Sequence, residues 1–347
     1  APEFGLVGLH QALLDASTGA VVLNVAAHPD DESSRTNTLL RRKYGMQVVT
    51  AYTTYGEGGQ NAIGREIGAE LAALRVRETL RAAALAGVEV RWLGMEDFGF
   101  SKTLEETLSW WGEDRLRDAM RAVLDAVDPD FVITNHSLTG GHGHHRATFW
   151  AIRQVLDERA AKDAYVPPLI ARSKIDAADW IVAPSELEPA RGETYARLAH
   201  RAWTQHASQG PWGPHDPLQV GRDWWRVANA DNCTVQVPSN GGDALPMPWC
   251  WVRSAQVPLP AELRDVAADR AALLGWARGV LAEPAGFYTE LGFPQHVQQS
   301  RARARWHRRE VATRILLALA NVRVEVWLER DEVSTLGEGR AYVVVHG

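Results

Sequence analysis

The sequence predicts an α/β fold: a Rossmann-like, mostly parallel sheet flanked by helices, then a C-terminal helical region and a terminal β-hairpin. Three observations carry this expectation. Short β-branched runs alternate with helix-period segments through the first half of the chain. The connections between runs are long, as parallel pairing requires. Two strongly polar clusters follow directly on strand ends, where ligands collect in such sheets.

In order, Val21–Ala26 (VVLNVA) is apolar and β-branched and reads as a buried strand. It ends in the turn His28-Pro29-Asp30-Asp31-Glu32. Residues 33–43 are helix-like, and Gln47–Tyr52 (QVVTAY) is the second strand. A glycine-rich loop, Tyr55-Gly56-Glu57-Gly58-Gly59-Gln60-Asn61, precedes a long helix over 68–86 that closes on Gly87, a residue suited to a left-handed C-cap. Residues 88–93 form a third strand, 114–127 a helix, 131–134 a fourth strand and 149–162 another helix. Beyond residue 165 the alternation fades. Residues 170–175 and 179–183 are strand candidates and 193–206 a helix. The stretch 207–255 is rich in Trp, Pro and Gly and lacks a clear period. Residues 263–281 and 298–319 are helix-like, and 322–329 and 340–346 alternate as two strands around a turn at 337–339. This organisation divides the chain into an α/β segment, 1–210, a Trp/Pro/Gly-rich and helical extension, 211–320, and a closing hairpin, 321–347, that resembles the start of a β-sandwich.

Composition removes several classes of function. The 347 residues are 46% hydrophobic and 23% charged, which sets aside disorder, collagen and coiled coil. Lys plus Arg is 37 against 43 Asp plus Glu, a net charge of −6, so nothing supports nucleic-acid binding. The longest apolar run, 315–322, is far short of the ~18 residues of a membrane span. Cys233 and Cys250 are the only cysteines, either bridged or two buried thiols. The chain opens Ala1-Pro2-Glu3-Phe4 with neither an initiator Met nor a signal core, as a processed or trimmed chain would. Its compartment is left between secreted or periplasmic and cytoplasmic.

The sharpest chemical signal is His28-Pro29-Asp30-Asp31-Glu32. His28 and Asp31 are spaced to face one cation, while Asp30 points elsewhere and stays outside the ion's ligand set; imidazole plus carboxylate suits zinc with an open position. The alternative is that the acids only cap the following helix. Gly141-His142-Gly143-His144-His145 after the fourth strand supplies the third ligand that a catalytic zinc site needs, or else is a solvated loop.

AHPDDE after the first strand, with H-x-x-H opening a later helix, resembles the LmbE/PIG-L superfamily of zinc-dependent de-N-acetylases. Further landmarks fall in the family's order: Gly56-Glu57-Gly58-Gly59-Gln60-Asn61, Arg75-x-x-Glu78, Leu93-Gly94-Met95-Glu96-Asp97 and His206-Ala207-Ser208-Gln209. The resemblance spans about residues 20–210 and is closest to the large bacterial multidomain members. It implies that His28, Asp31 and His145 bind zinc, with iron(II) as the alternative. It further implies that Asp30 is the general base acting on the zinc's water and that His142 stabilises the oxyanion or protonates the amine. Arg75, Glu57 and Asp97 would meet the substrate, an N-acylated, most simply acetylated, amino sugar or glycoconjugate. Two positions depart from the family: His144 replaces the carboxylate of H-x-D-H, and Gly140 replaces a common Tyr.

Duller uses stand beside these. Glu32 is read as a helix cap rather than a ligand. Arg75 and Glu78, at i and i+3, suit a helix-surface ion pair. Asp97 suits a turn end, and His206 a structural or outer-shell histidine. Trp212, Trp224, Trp225, Trp249 and Trp251 are assigned first to core packing and second to stacking on sugar rings, and Arg301, Arg303, Arg305, Arg308 and Arg309 to a solvated helix face. The competing function class is a carbohydrate-binding or scaffold protein that keeps the fold without turnover.

Overall fold

A strand that is apolar at every position needs cover on both faces, and β1 (Val21–Ala26) is buried along its whole length. It is preceded by α1 (Gly5–Ala16) and followed by α2 (Ser34–Arg42), β2 (Gln47–Tyr52), α3 (Ala69–Ala86) and β3 (Glu89–Trp92). Next come α4 (Leu104–Trp111), α5 (Glu113–Val127), β4 (Phe131–Thr134), α6 (Gly143–Ala161) and β5 (Leu169–Arg172). Then follow β6 (Trp180–Val182), the short pair β7 (Leu187–Glu188) and β8 (Glu193–Thr194), α7 (Tyr195–Trp203) and β9 (Asp223–Val227). Last come α8 (Arg270–Ala282), α9 (Gln295–Leu319), β10 (Arg323–Leu328) and β11 (Ala341–His346). The structure is a computed structural model and describes residues 3, 5–214, 221–229, 249–252, 263, 270–282, 295–320, 323–328 and 341–346.

The central sheet has the order β3-β2-β1-β4-β5-β9-β6. From β3 to β5 all neighbours are parallel; β9 runs antiparallel to both β5 and β6. The sheet is therefore mixed α/β and mostly parallel, as expected. Alternate residues of β1 face opposite layers. Val21, Leu23 and Val25 pack with Leu116, Met120 and Leu124 of α5 and Ile152 and Val155 of α6. Val22 packs with Leu39 and Leu40 of α2, Phe131, Trp180 and Trp225. Chain order reverses at β1, where β2 lies to one side and β4 to the other. Their carboxyl ends open a crevice of the kind that holds ligands in such sheets.

Gly87 ends α3 with φ 79°, and its N–H bonds to Ala83 O at 2.7 Å, the left-handed C-cap expected of it. The two strand candidates past residue 165 shorten to β5 and β6, and the helix at 193–206 starts two residues late because Glu193–Thr194 pairs as β8. The long helix near the C-terminus begins at Gln295, and the two closing strands pair antiparallel as β10 and β11. The turn at 337–339 lies outside the described residues.

Two elements come from sequence without a strong period. Asp223–Val227, inside the stretch read as irregular, is a sheet strand with Asp223 and Trp225 wholly buried. Helix α1 packs Leu9, Ala12 and Leu13 against Leu273 and Ala277 of α8 and Val311 and Ile315 of α9. This is a third core, separate from the two that cover the sheet.

Trp225 and Trp251 are buried with Trp180 and Phe131, so these tryptophans pack the core and do not meet sugar. Cys250 is disulfide-bonded; Cys233, the one other cysteine of the chain, lies outside the described residues. The side chains of Trp249, Arg301, Arg303 and Arg305 also lie outside them. Arg308 is half-buried, 5.8 Å from the centroid of the Trp276 ring.

Candidate active site

Two turns meet at the crevice. After β1, Asp31 N–H donates to His28 O at 3.1 Å and closes a tight turn. Asp30, in its middle, is held at φ 88°, where a side chain is strained. Its N–H is fixed by Glu32 Oε2 at 3.1 Å. After β4, Asn135 Nδ2 donates to Asp31 O at 2.7 Å, and His136 Nε2 accepts from Ala27 N–H at 2.8 Å. These two bonds tie the turns together.

The histidine cluster is seated by close backbone approach. Gly143 N–H donates to Ser101 O at 2.9 Å, and a Cβ at Gly143 would stand 2.2 Å from Thr103 O. Gly141 takes φ 72°, and a Cβ there would stand 2.3 Å from His145 Nδ1. Glycine at both positions lets α6 begin against the loop that follows β3, with His144 and His145 in its first turn.

The result brings five sequence-predicted residues into one cluster. Asp31 Oδ2 lies 2.9 Å from His28 Nδ1 and 3.3 Å from His145 Nε2. The His142 ring centroid is 4.2 Å from that of His145 and 5.2 Å from that of His28. Asp30 adjoins on the side of a cavity of about 500 Å³ whose wall includes Asn135, Arg172 and Trp203.

The donor set fits a metal ion. His28, Asp31 and His145 each offer an atom within 4.8 Å of the others. Tetrahedral bonds of ~2.0–2.1 Å set ligand atoms about 3.3 Å apart, close to the two spacings at Asp31. A second trio, His28, His142 and His144, is as compact but has no carboxylate.

Asp30 is pushed up to about 9, first by burial and then by Asp31 and Glu32, with Arg75 a partial offset. Burial also works to raise Asp31, yet its bonds to His145 and His28 hold it well below the usual carboxylate range. His142 is lowered to about 4 and His144 to about 2, in both cases by burial first and neighbouring imidazoles second. Burial works to lower His28, but its bond to Asp31 and the charges of Asp31 and Asp97 raise it, so a metal ion bound there would take the place of a proton.

The other assigned residues shape the surrounding loops. Arg75 and Glu78 are both buried and do not form a helix-surface pair with each other. Arg75 donates to Gly56 O, to Gln60 O at 2.8 Å and to Ser208 Oγ at 3.3 Å, while Glu78 accepts from Ser208 N at 2.8 Å and Oγ at 2.7 Å. Glu57 accepts from the backbone of Asp97 and of Tyr55, both at 3.1 Å. Asp97 Oδ1 accepts from Gly99 N at 3.0 Å and stands 3.7 Å from His144 Nδ1, while its Oδ2 is 3.9 Å from His28 Nε2. Those last two are charge proximities, too long for hydrogen bonds.

The helix-capping alternative fails, since the N-cap of α2 is Ser33 and has no side-chain cap bond. Glu32 is a buried hub: it accepts from Tyr52 Oη at 2.9 Å and Ser34 Oγ at 2.8 Å, and contacts His206 Nε2 at 3.2 Å. His206 is thus an outer-shell residue reached through Glu32. His136, which the sequence reading passed over, stacks on His145 at 4.5 Å and is lowered to about 3, mainly by burial. Its one sequence signal is its place two residues past a buried strand.

Residues 23–156 match the family model described as PIG-L: GlcNAc-PI de-N-acetylase. A Bacillus subtilis (strain 168) protein described as "Probable N-acetyl-alpha-D-glucosaminyl L-malate deacetylase 2" is 31% identical over 150 residues, 41% of this chain. The chain spans 63% of that relative's length. A Bacillus cereus protein of the same description is 27% identical over 159 residues, 44% of this chain and 68% of its own. Among solved structures, N,N'-diacetylchitobiose deacetylase from Pyrococcus horikoshii is 21% identical, with 55% of this chain and 71% of that chain covered at a TM-score of 0.42. The 4-carboxy-2-hydroxymuconate hydratase from Pseudomonas putida KT2440 is 14% identical, with 63% and 100% covered at a TM-score of 0.46. Neither of these two likenesses carries an argument about chemistry. The family resemblance read from the motifs is borne out by this match over residues 23–156.

Proposed function

We propose that this chain, through its PIG-L domain, is a metal-dependent hydrolase that removes an N-acyl group, most simply acetyl, from an amino sugar or glycoconjugate. The observation that carries the reading is the trio His28, Asp31 and His145 with Asp30 beside it, inside the segment that matches the deacetylase family. Zinc suits the two imidazoles and one carboxylate, and iron(II) is accepted by the same donors.

Bound by His28, Asp31 and His145, such an ion would supply Lewis-acid polarisation of the acyl carbonyl and a more acidic water. Asp30 takes the proton of the attacking water, a role open to it only when ionised. Its carboxyl, pushed up to about 9 by burial and by Asp31 and Glu32, therefore depends on cationic charge beside it. The strained turn holds that carboxyl at the cavity wall without a search of rotamers and backbone states. His142, with its ring beside those of His28 and His145 and a buried, unpartnered Nδ1, is the group that would give hydrogen to the developing oxyanion or the leaving amine.

Elemental analysis of protein purified without added metal should find about one zinc or iron per chain. Amine release from N-acetylglucosamine and chitobiose should be sensitive to chelation. A chain that takes up no metal even on reconstitution would overturn the ligand assignment.

His144 acts through His28. A carboxylate only accepts, so beside a bare Asp31 the His28 proton sits on Nδ1; ligation through Nδ1 places it on Nε2, facing His144 Nδ1 at 3.0 Å. His144 is fixed by stacking on Trp111 at 4.7 Å and edge contact with Phe98 at 4.5 Å. It takes the orienting part that a carboxylate commonly plays for a ligand histidine. His144→Ala should weaken metal affinity about 10- to 100-fold, read by competition with a chromophoric chelator. Unchanged affinity would remove His144 from this role.

A further inference from the structure

We propose that Asp223 of β9 is a positioning residue of the active site: its carboxylate holds in place the turn that carries Asp30 and Asp31. It does so from outside the segment that matches the family model, residues 23–156. The role rests on reading Asp31 as a metal ligand and Asp30 as the base; the tether itself rests on the geometry that follows.

Sheet topology puts Asp223 at the site. β9 runs antiparallel to β5, and Arg172, the last residue of β5, pairs with Trp225. The start of β9 therefore reaches past the carboxyl end of β5, at the end of the sheet where β1 and β4 also finish. On its other side β9 pairs with β6, Asp223 opposite Val182. A strand paired on both edges is a rigid base for a side chain that must place another element.

The turn finishes at Glu32, and Ser33 leads into α2. Ser33 is the N-cap, yet its side chain makes no cap bond within the helix. Its Oγ donates instead to Asp223 Oδ2 at 2.6 Å, and Thr36 Oγ1 donates to the same oxygen at 2.7 Å. The other oxygen, Oδ1, lies 2.8 Å from Arg172 Nη1 and 3.0 Å from Arg35 Nη2. One carboxylate thereby joins Ser33, Arg35 and Thr36 at the start of α2 to Arg172 at the end of β5.

Asp223 and Thr36 are wholly buried and Ser33 nearly so, which makes loss of the shared acceptor costly for both hydroxyls. A negative charge is also favoured beside the first turn of a helix. Burial works against that charge, but Arg35 and Arg172, with the bonds from Ser33 and Thr36, hold the carboxyl below its ordinary value.

Two other tethers reach the turn, Asn135 at Asp31 O and Tyr52 with His206 at Glu32. Asp223 adds a third and fixes where the chain leaves the turn. Asp30, at φ 88°, keeps that strained state only while its surroundings over-determine it. A misplacement of about 1 Å at a reacting group can cost ~10²-fold in rate.

The test is Asp223→Asn in the full chain. Asparagine keeps the volume but offers an accepting oxygen to only one of the two sets of partners. The readouts are backbone hydrogen exchange over residues 28–33 without added metal, zinc affinity by competition with a chromophoric chelator, and kcat and KM for amine release from N-acetylglucosamine and chitobiose. Exchange over 28–33 should quicken, and zinc affinity should fall about tenfold. At saturating zinc, kcat should fall about tenfold or more while KM changes far less. Ser33→Ala removes one bond from the turn side and should move the same readouts the same way by less. The double variant should lose less than the two losses combined. If Asp223→Asn does not fold, Ser33→Ala decides by the same readouts. Asp15→Asn, which breaks the pair with Arg41 in the last turn of α2, is the control for lost stability and should keep wild-type zinc affinity and kcat.

An Asp223→Asn protein that is less stable, yet keeps wild-type exchange over 28–33, zinc affinity and kcat, would overturn the inference and leave Asp223 a pin for β9 alone. Quicker exchange and weaker zinc binding, with no amine release from either sugar even in the wild-type chain, would count against the deacetylase reading and leave the tether standing. A wild-type chain that takes up no zinc would remove the ligand assignment, and exchange would then decide the tether by itself.

Discussion

An Asp30→Asn variant is expected to lose about 10²- to 10⁴-fold in amine release while keeping its metal, the range typical for removing a positioned general base. Asparagine is the informative replacement. It matches aspartate in shape, and it is one of the few residues at ease at the positive φ of 88° found here, so the turn holding His28 and Asp31 survives. Its amide cannot take a proton from water. Metal content measured alongside turnover separates loss of the base from loss of the site. A protein that only binds carbohydrate would show the opposite pattern, with sugar affinity unmoved by the substitution and no turnover to lose.

The largest effect on stability is expected at Asp15, far from the chemistry. This buried residue of α1 accepts from Gln11 Nε2 at 2.9 Å, is paired with Arg41 of α2, and lies 2.7 Å from Arg314 of α9. It joins the third core to the sheet layer. Burial works to raise its pKa, but the charges and hydrogen bonds of Arg41, with Arg314 and Gln11, hold it at about 2 against an ordinary 3.8. A carboxylate with a depressed folded-state pKa stabilises the fold above its unfolded value, and that stabilisation is lost as pH falls through the folded value. For a shift of this size the contribution is about 2 kcal/mol, present above pH ~4 and gone near pH ~2. Asp15→Asn leaves Arg41, whose side chain is only 13% exposed, without its carboxylate, so the cost at neutral pH should be about 3–5 kcal/mol. Denaturant melts of both proteins at several pH values would check this: the gap should be widest at neutrality and narrow toward pH ~2. A gap independent of pH would remove the charge from the explanation.

Much of the candidate site is legible in the amino-acid sequence. His28 and Asp31 are three residues apart on one turn, and His142, His144 and His145 fall within four consecutive positions. Local geometry alone brings each set to the end of its own strand. What holds those side chains in place is not legible there. Glu32 reads as a helix cap because acids after a strand and before a helix commonly are caps. Its partners Tyr52 and His206 lie 20 and 174 positions away, and no local pattern announces them. Arg75 and Glu78 have the spacing of a surface pair, and the fold instead turns both inward onto a loop and onto Ser208, more than 100 residues further along.

The sequence by itself determined the alternation of strands and helices, the two chemical clusters and their resemblance to the PIG-L family. These depend on periodicity and on spacing within a turn, which a chain carries wherever it lies. Only the tertiary structure decided that β9 enters the sheet beside β5, burying Asp223 under two arginines. Only it decided that His144 meets His28. Each of these joins residues distant in the chain through burial and complementary charge. Such partners are selected by the closing of the sheet at its switch point, where the ends of β1 and β4 are brought together, and spacing along the chain has no means to specify them.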